Sequence, residues 1–430
     1  MNPWTASLVS LLAYSGFEFY LSYRQKNKLK DTTIPPQTKM FEHIWKIDPE
    51  EYKQNKKYSS DKMNANGIKN LVMLLFEIWF NYFGPIQWLW NRSKLVAEDF
   101  TSMYVAKIVV YFFFKEIVEL IVSLPFAYYM QFVIEERYGF NKMTIKTFVK
   151  DTVISFFLQL AIISILMWGL VCIVEFGGPL MPIYCSIFIA ILIVVMMLIW
   201  PNFIAPLFNK FEPLGQNQDS KELDLRSRVE NIAKKAHFPV TEIYKMDGSK
   251  RSAHSQAYFF GIFKKKRIVI YDTLINQLEN QQTEAVLCHE IGHWFHSHNV
   301  QMMAAAMVSV QGLVWTMAYF IYDINFYRSF DIPKVDYFLG IQLSMLMFTM
   351  ISSLINLGIV QLSRRNEFQA DQYALRYFHG ENLIWALVKI YKENKADLDP
   401  DWLYSSMKHT HPTLLQRVAR IKALLKKEDN

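Results

Sequence analysis

The run PIYCSIFIAILIVVMMLIW, residues 182–200, holds 19 residues without a single charge. As a helix rising about 1.5 Å per residue it would be about 28 Å long, enough to cross the roughly 30 Å hydrocarbon core of a bilayer. Windows of similar character recur at 3–23, 67–90, 103–129, 151–177, 300–322 and 338–361. With the fifth window taken as 179–200, seven membrane helices are expected. A length of 430 residues would otherwise suggest two or three soluble domains. The first window lacks a basic start and a small-residue cleavage site, so it is read as a retained anchor rather than a signal peptide.

The spans divide the chain. Residues 1–200 carry five of them, with a long loop at 24–69. A polar segment follows at 201–299, then two spans within 300–361, then a polar segment at 362–430. Eleven Lys or Arg lie between Arg24 and Lys69, and the loop 135–150 adds Arg137, Lys142, Lys146 and Lys150. The loop 91–102 holds only Arg92 and Lys94. Positive charge on cytosolic loops puts the N-terminus outside, on the far face of the membrane, and the C-terminus and both large polar segments in the cytosol. The net charge of +7 is therefore assigned to membrane flanks. No basic stripe with interleaved aromatics stands elsewhere, and nucleic acid is not an expected partner. Cys172, Cys185 and Cys288 form no disulfide framework and no cysteine-based zinc signature.

Several polar side chains sit within or near the spans: Glu18, Glu77, Lys107, Lys115, Glu116, Glu119, Gln159 and Glu175. Ionisable groups at membrane depth face partners or water. Lys107 and Glu175 can reach a membrane surface, but Lys115, Glu116 and Glu119 are mid-span. The helices are expected to surround something wet.

The chemistry is concentrated in AVLCHEIGHWFHSHN, residues 285–299. Before it, TEIYKMD and the run from Ala257 to Asp272 read as strands, with Gly261 and three lysines turning a hairpin. From Asp272 the pattern becomes helical. His289 and His293, four apart, share one helical face and suit one metal ion. Glu290 between them is placed to take a proton from the attacking water, as in H-E-x-x-H zinc peptidases. The metzincin variant would need Gly at 296 and His at 299, where His296 and Asn299 stand, so it is excluded. The third ligand must come from elsewhere. In SRRNEFQADQYA, 363–374, Glu367 and Asp371 are one turn apart. Glu367 would complete a two-histidine, one-glutamate site and Asp371 would hold a ligand ring N–H; an ordinary charged helix surface fits the same spacing. In KHTHPTLLQRV, 408–418, His411 and Arg417 suit stabilisation of an oxyanion, and His411 equally suits a helix cap.

Taken together, HEIGHW, SRRNEFQAD and THP with Leu414–Arg417 resemble the type I CaaX prenyl proteases. RYGFNKMT (137–144), WPNFIAPLFNKFEPL (200–214), KRSAHSQAYFFGIFKKKRIVIYDTL (250–274) and DWLYSSMKHTHP (401–412) extend the resemblance over nearly the whole chain. It implies an all-α integral membrane protein. Seven helices would form a barrel around a water-filled chamber, capped by a zincin-like (gluzincin) domain with a small β-hairpin or sheet. It implies one Zn2+ per chain, held by His289, His293 and Glu367, with Glu290 as general base. Asp371 matches an aspartate often assigned as proton donor; its expected role here is to orient a ligand. His411 and Arg417 match residues contacting substrate or the intermediate. The implied reaction removes the last three residues of a prenylated (farnesylated) CaaX protein, with a second upstream cut in some members. The implied location is the endoplasmic reticulum membrane, extending to the inner nuclear membrane. One chain, one zinc ion and the bilayer make up the expected assembly, a monomer. Gln256 stands where the family usually has Asn, on a strand resembling the edge that aligns substrate. His296 and His298 are read as helix-end polar residues. The alternative function is a membrane quality-control zinc protease acting on misfolded or translocon-stalled chains. A zinc-stabilised scaffold without activity is disfavoured, because a structural site has no use for Glu290.

Overall fold

One helix belongs to both the apolar and the polar halves of this chain, and the site depends on it. The computed structural model describes residues 2–254, 256–261, 266–377 and 380–428. The first half runs α1 (Pro3–Leu29), α2 (Pro49–Tyr82), α3 (Pro85–Glu98), α4 (Tyr104–Tyr129), α5 (Ile145–Phe176), α6 (Met181–Ile199) and α7 (Ala205–Phe208). The polar segment then gives β1 (Phe211–Pro213), α8 (Ser220–Lys235), β2 (Val240–Met246), β3 (Ala257–Phe260), β4 (Lys266–Tyr271), α9 (Asp272–Gln277) and α10 (Asn280–Phe295). After it come α11 (His298–Phe320), α12 (Ile324–Arg328), α13 (Tyr337–Leu375), α14 (Gly380–Glu393), α15 (Trp402–Lys408) and α16 (Leu414–Glu428).

Among the described residues, 4 helical stretches are long and apolar enough to cross a membrane: Ile145–Phe176, Gly178–Phe208, His298–Phe320 and Tyr337–Leu375. The other three expected windows fall on α1, on α2 with α3, and on α4. The window 67–90 is not one helix. Phe83 ends α2, Gly84 turns the chain at φ +97, and Pro85 restarts it with a fixed φ and no N–H to lose. The ionisable groups of α4 are paired: Lys115 bonds Glu119 at 2.5 Å, and Gln159 of α5 donates to Glu116 at 2.6 Å. Lys107 reaches back to Glu98 at 2.7 Å.

The expected long loop at 24–69 is mostly helix, because α1 runs on to Leu29 and α2 starts at Pro49, capped by Asp48. It wraps the C-terminal segment. Lys56 meets Asp397 at 2.8 Å with both side chains nearly buried, Lys28 meets Asp399 at 2.6 Å, and Arg24 grips Asp401 through two nitrogens at 2.9 and 3.1 Å. Glu18 pairs with Lys408 nearby. Of these pairs only Lys56–Asp397 is nearly buried, where desolvation offsets much of the Coulomb attraction.

The polar segment folds as a four-stranded mixed sheet in the order β1-β2-β4-β3. Strands β3 and β4 form the expected antiparallel hairpin, with Ala257 opposite Ile270 and Phe260 opposite Arg267. Its turn, at 262–265, lies outside the described residues. The parallel pairing of β2 with β4 and the short β1 are additions that alternation alone did not reveal. Strand β3 is an edge. Under the sheet, Leu225 and Ile232 of α8, Ile270 of β4, and Leu287, Cys288 and Ile291 of α10 share one core with Phe41 and Trp45 of the wrapping loop. Tyr373, Leu383 and Val418 join it from α13, α14 and α16.

Helix α13 is the shared element. Its 39 residues would measure about 58 Å, almost twice what a bilayer core needs. It therefore runs unbroken through residues 361 and 362 and carries Glu367 and Asp371 into the polar core. There it crosses α10 closely. A Cβ on Gly292 would stand 2.9 Å from Tyr373 Cβ and 3.1 Å from Ala370 Cα, so only glycine allows this approach.

Candidate metal centre

Two helices bring the candidate ligands together. Helix α10 begins with a capping box in which Glu279 and Gln282 satisfy each other's backbone N–H groups. It then presents His289 and His293 toward α13, one turn apart. His289 Nε2 and His293 Nε2 are 3.2 Å apart. Glu367 places Oε2 3.5 Å from the first and Oε1 3.3 Å from the second. Ligands on a tetrahedral sphere of about 2.0–2.1 Å radius stand about 3.3–3.4 Å apart, so the three atoms already have zinc-like spacing. His289 and Glu367 are buried and His293 nearly so.

Glu367 gives a second sign of fit. Its Oε2 lies 2.9 Å from His411 Nδ1 and 3.4 Å from Arg417 Nη1, but neither angle makes a hydrogen bond, and this buried oxygen has none. A buried carboxylate oxygen without a donor is costly unless a cation completes it. Glu367 and Asp371 lie beside two imidazoles with Arg417 as their guanidinium partner, a carboxylate-rich setting that suits a bound cation.

The outer contacts set the tautomer of His289. Its Nδ1 lies 3.0 Å from Asp371 Oδ1, which accepts the N–H and leaves Nε2 facing the centre. Burial disfavours a charged imidazole, yet the Asp371 and Glu367 carboxylates outweigh it and raise His289 to about 9. The cleft attracts positive charge. Glu290 is only partly buried and has no hydrogen-bond partner among the described residues. Burial pushes its carboxyl upward, opposed by His289 and His293. That environment suits a group that must alternately take and release a proton.

Arg417 of α16 is held by Asp371 through Nε at 2.9 Å and Nη2 at 2.5 Å, with both residues buried. Replacing Arg417 by Leu is expected to cost about 3–5 kcal/mol, because it strands the Asp371 charge in the core. Lys cannot restore the two-nitrogen contact. Thermal unfolding of Arg417→Leu and Arg417→Lys checks this; a melting temperature unchanged in both would contradict it.

His411 has a side chain 61% exposed, so it borders the opening of the site. Its alternative as a helix cap falls to Thr413, whose Oγ1 accepts from the Gln416 N–H at 3.3 Å. The loop carrying His411 is organised by a residue that the motifs did not flag. Arg364, buried on α13, donates to the carbonyls of Ser405, His409 and His411 at 3.3, 3.3 and 3.1 Å and to Gln416 Oε1 at 2.9 Å. Gln256 immediately precedes the edge strand β3. Its side chain is exposed and makes no hydrogen bond to the centre among the described residues, while its carbonyl accepts from Tyr271 N–H at 3.1 Å.

The two helix-end histidines differ in their surroundings: His296 caps the end of α10, whereas His298 opens α11. It is buried, with Nδ1 2.9 Å from His293 Nδ1 and Nε2 3.0 Å from Gln369 Oε1. On a continuous helix the fifth residue after His293 would point about 140° away. Ser297, in the left-handed region at φ +55, breaks the helix and brings His298 back.

The chain is similar to known proteins along its whole length. Residues 25–210 match the family described as CAAX prenyl protease N-terminal, five membrane helices, and residues 219–425 match peptidase family M48. A CAAX prenyl protease 1 homolog of Arabidopsis thaliana is 34% identical, covering 96% of each chain. CAAX prenyl protease 1 of Saccharomyces cerevisiae is 31% identical over 100% of this chain and 97% of its own. The crystal structure of S. mikatae Ste24p superposes with a TM-score of 0.89 at 30% identity, over 98% of this chain and 99% of that one. The chain therefore belongs to the M48 metallopeptidases, in the CAAX prenyl protease 1 family, with the mostly helical membrane fold of Ste24p and a small mixed sheet.

Proposed function

We propose that this protein is a zinc endopeptidase of the endoplasmic reticulum membrane that removes the last three residues of prenylated CaaX proteins. The observation that carries the reading is the convergence of His289, His293 and Glu367 at 3.2–3.5 Å with Glu290 beside them, in a chain of this family. Zinc, when bound, would polarise the scissile carbonyl and acidify the attacking water. Glu290 takes the proton from that water and hands it to the leaving amine. Asp371 holds His289 in its Nε2-ligating tautomer and is itself held by Arg417. His411, at the opening, donates to the oxygen that gains charge.

The substrate backbone pairs with the free edge of β3, so that Gln256 touches the peptide through its side-chain amide. A cavity of about 640 Å³ adjoins this edge, bounded by Leu192, Ile193 and Met196 of α6 and by Tyr258 and Phe260 of β3. An apolar space beside an aligning strand suits a lipidated peptide better than a generic one. We also read the membrane helices as seven, walling a wet chamber; the paired Lys115, Glu119, Glu116 and Gln159 support that reading. The catalytic segments 201–299 and 362–430 then face the cytosol, with the N-terminus in the lumen.

Farnesylated and unmodified peptides of one CaaX sequence separate this activity from quality control. The farnesylated peptide is expected to be cut at least about tenfold more efficiently, since burying even part of an isoprenoid chain is worth more than 1.4 kcal/mol. Equal rates would favour a protease of misfolded chains.

A further inference from the structure

The two ligand histidines are backed differently. Behind His289 stands a carboxylate, Asp371, at 3.0 Å. Behind His293 stands another imidazole, His298, and behind that an amide, Gln369. We propose that His298 is the positioning residue of His293: it accepts the Nδ1–H of His293, is anchored through its own Nε2–H by Gln369, and so keeps the Nε2 lone pair of His293 on the cation.

The proton positions follow from geometry. His293 Nε2 faces His289 Nε2 at 3.2 Å and Glu367 Oε1 at 3.3 Å, so it is the ligating atom and carries no proton. A neutral imidazole then holds its proton on Nδ1. His298 Nδ1, 2.9 Å away, must accept that proton in a hydrogen bond. With Nδ1 as acceptor, the His298 proton sits on Nε2 and is donated to Gln369 Oε1 at 3.0 Å. Every donor in the relay meets an acceptor, and only one arrangement of protons satisfies it.

The backbone is shaped for this contact. Ser297 adopts φ +55, which costs a non-glycine residue of order 1 kcal/mol or more, and the break it makes is what turns His298 under His293. His298 is 1% exposed and Gln369 sits on α13 two residues beyond Glu367, so α13 supplies both a ligand and the anchor of the relay. A carboxylate in place of His298 would add a second negative charge outside the ligands. A neutral ring fixes the tautomer without it.

The inference rests on His293 being a metal ligand. It is tested on the full-length protein in lipid by zinc competition against a chelator, which reads the dissociation constant independently of turnover. His298→Asn puts an amide oxygen where Nδ1 was, whereas His298→Gln reaches the Nε2 position and leaves Nδ1 unreplaced. The Asn variant is expected to bind zinc close to the wild-type value, and the Gln and Ala variants about 10- to 100-fold more weakly. Equal zinc affinity for Asn and Gln, or a wild-type value for Ala, would overturn the role of His298. Should Ala fail to fold, the Asn–Gln comparison decides alone. Zinc retained at wild-type affinity by His293→Ala would instead overturn the ligand assignment.

Discussion

Glu290→Gln is expected to lower turnover of a farnesylated CaaX peptide by about 10²- to 10⁴-fold while the protein keeps one zinc ion per chain. Glu290 follows His289 on α10 and is not among the three side chains, His289, His293 and Glu367, whose ligand atoms converge. It has no hydrogen-bond partner among the described residues and is only partly buried, which leaves its carboxylate for water and substrate. The amide matches its shape but accepts no proton. Elemental analysis and single-turnover kinetics on the same preparation read both halves. Loss of zinc in this variant would make Glu290 a ligand; unimpaired turnover would remove it from the reaction.

Glu367→Gln is expected to abolish zinc binding under dialysis and activity with it. Outer contacts of a metal site are worth about 10- to 100-fold in affinity, and loss of the anionic ligand exceeds that. The physical cause is twofold. The amide is a poorer donor, and it removes the charge that offsets Arg417, whose guanidinium stands 3.4 Å from Glu367 Oε2. Because the amide has the carboxylate's volume, the crossing at Gly292 and Ala370 should persist, and the melting temperature without zinc should change little. Zinc bound by this variant at wild-type affinity would move the third ligand elsewhere.

How much of this was legible from residues alone varies along the chain. The span at 182–200 and the helix holding His289 and His293 follow from composition and a four-residue spacing, both local properties. The pairing of Glu367 with that helix is not local, and spacing left it level with an ordinary charged surface. What joins them is the length of α13 and the missing side chain at Gly292, and neither means anything until the two helices cross. The break at Phe83–Gly84 was overlooked because hydropathy windows smooth across a single glycine. The contact of His298 with His293 is hidden for a related reason: helical periodicity assumes continuity, and Ser297 interrupts it with a residue that carries no left-handed signature. Arg364 and Gln369 lie within the quoted motif, yet their partners, the carbonyls of 405–411 and the ring of His298, are fixed only by the fold.

The central claim is a cut after the prenylated cysteine, and the mass of the product tests it most directly. Purified protein in lipid, given a farnesylated CaaX peptide, should yield a peptide lighter by its last three residues, with the farnesyl group retained. The product should vanish when zinc is chelated and return when zinc is restored. An intact peptide, or cleavage at another bond with zinc present, would contradict the account.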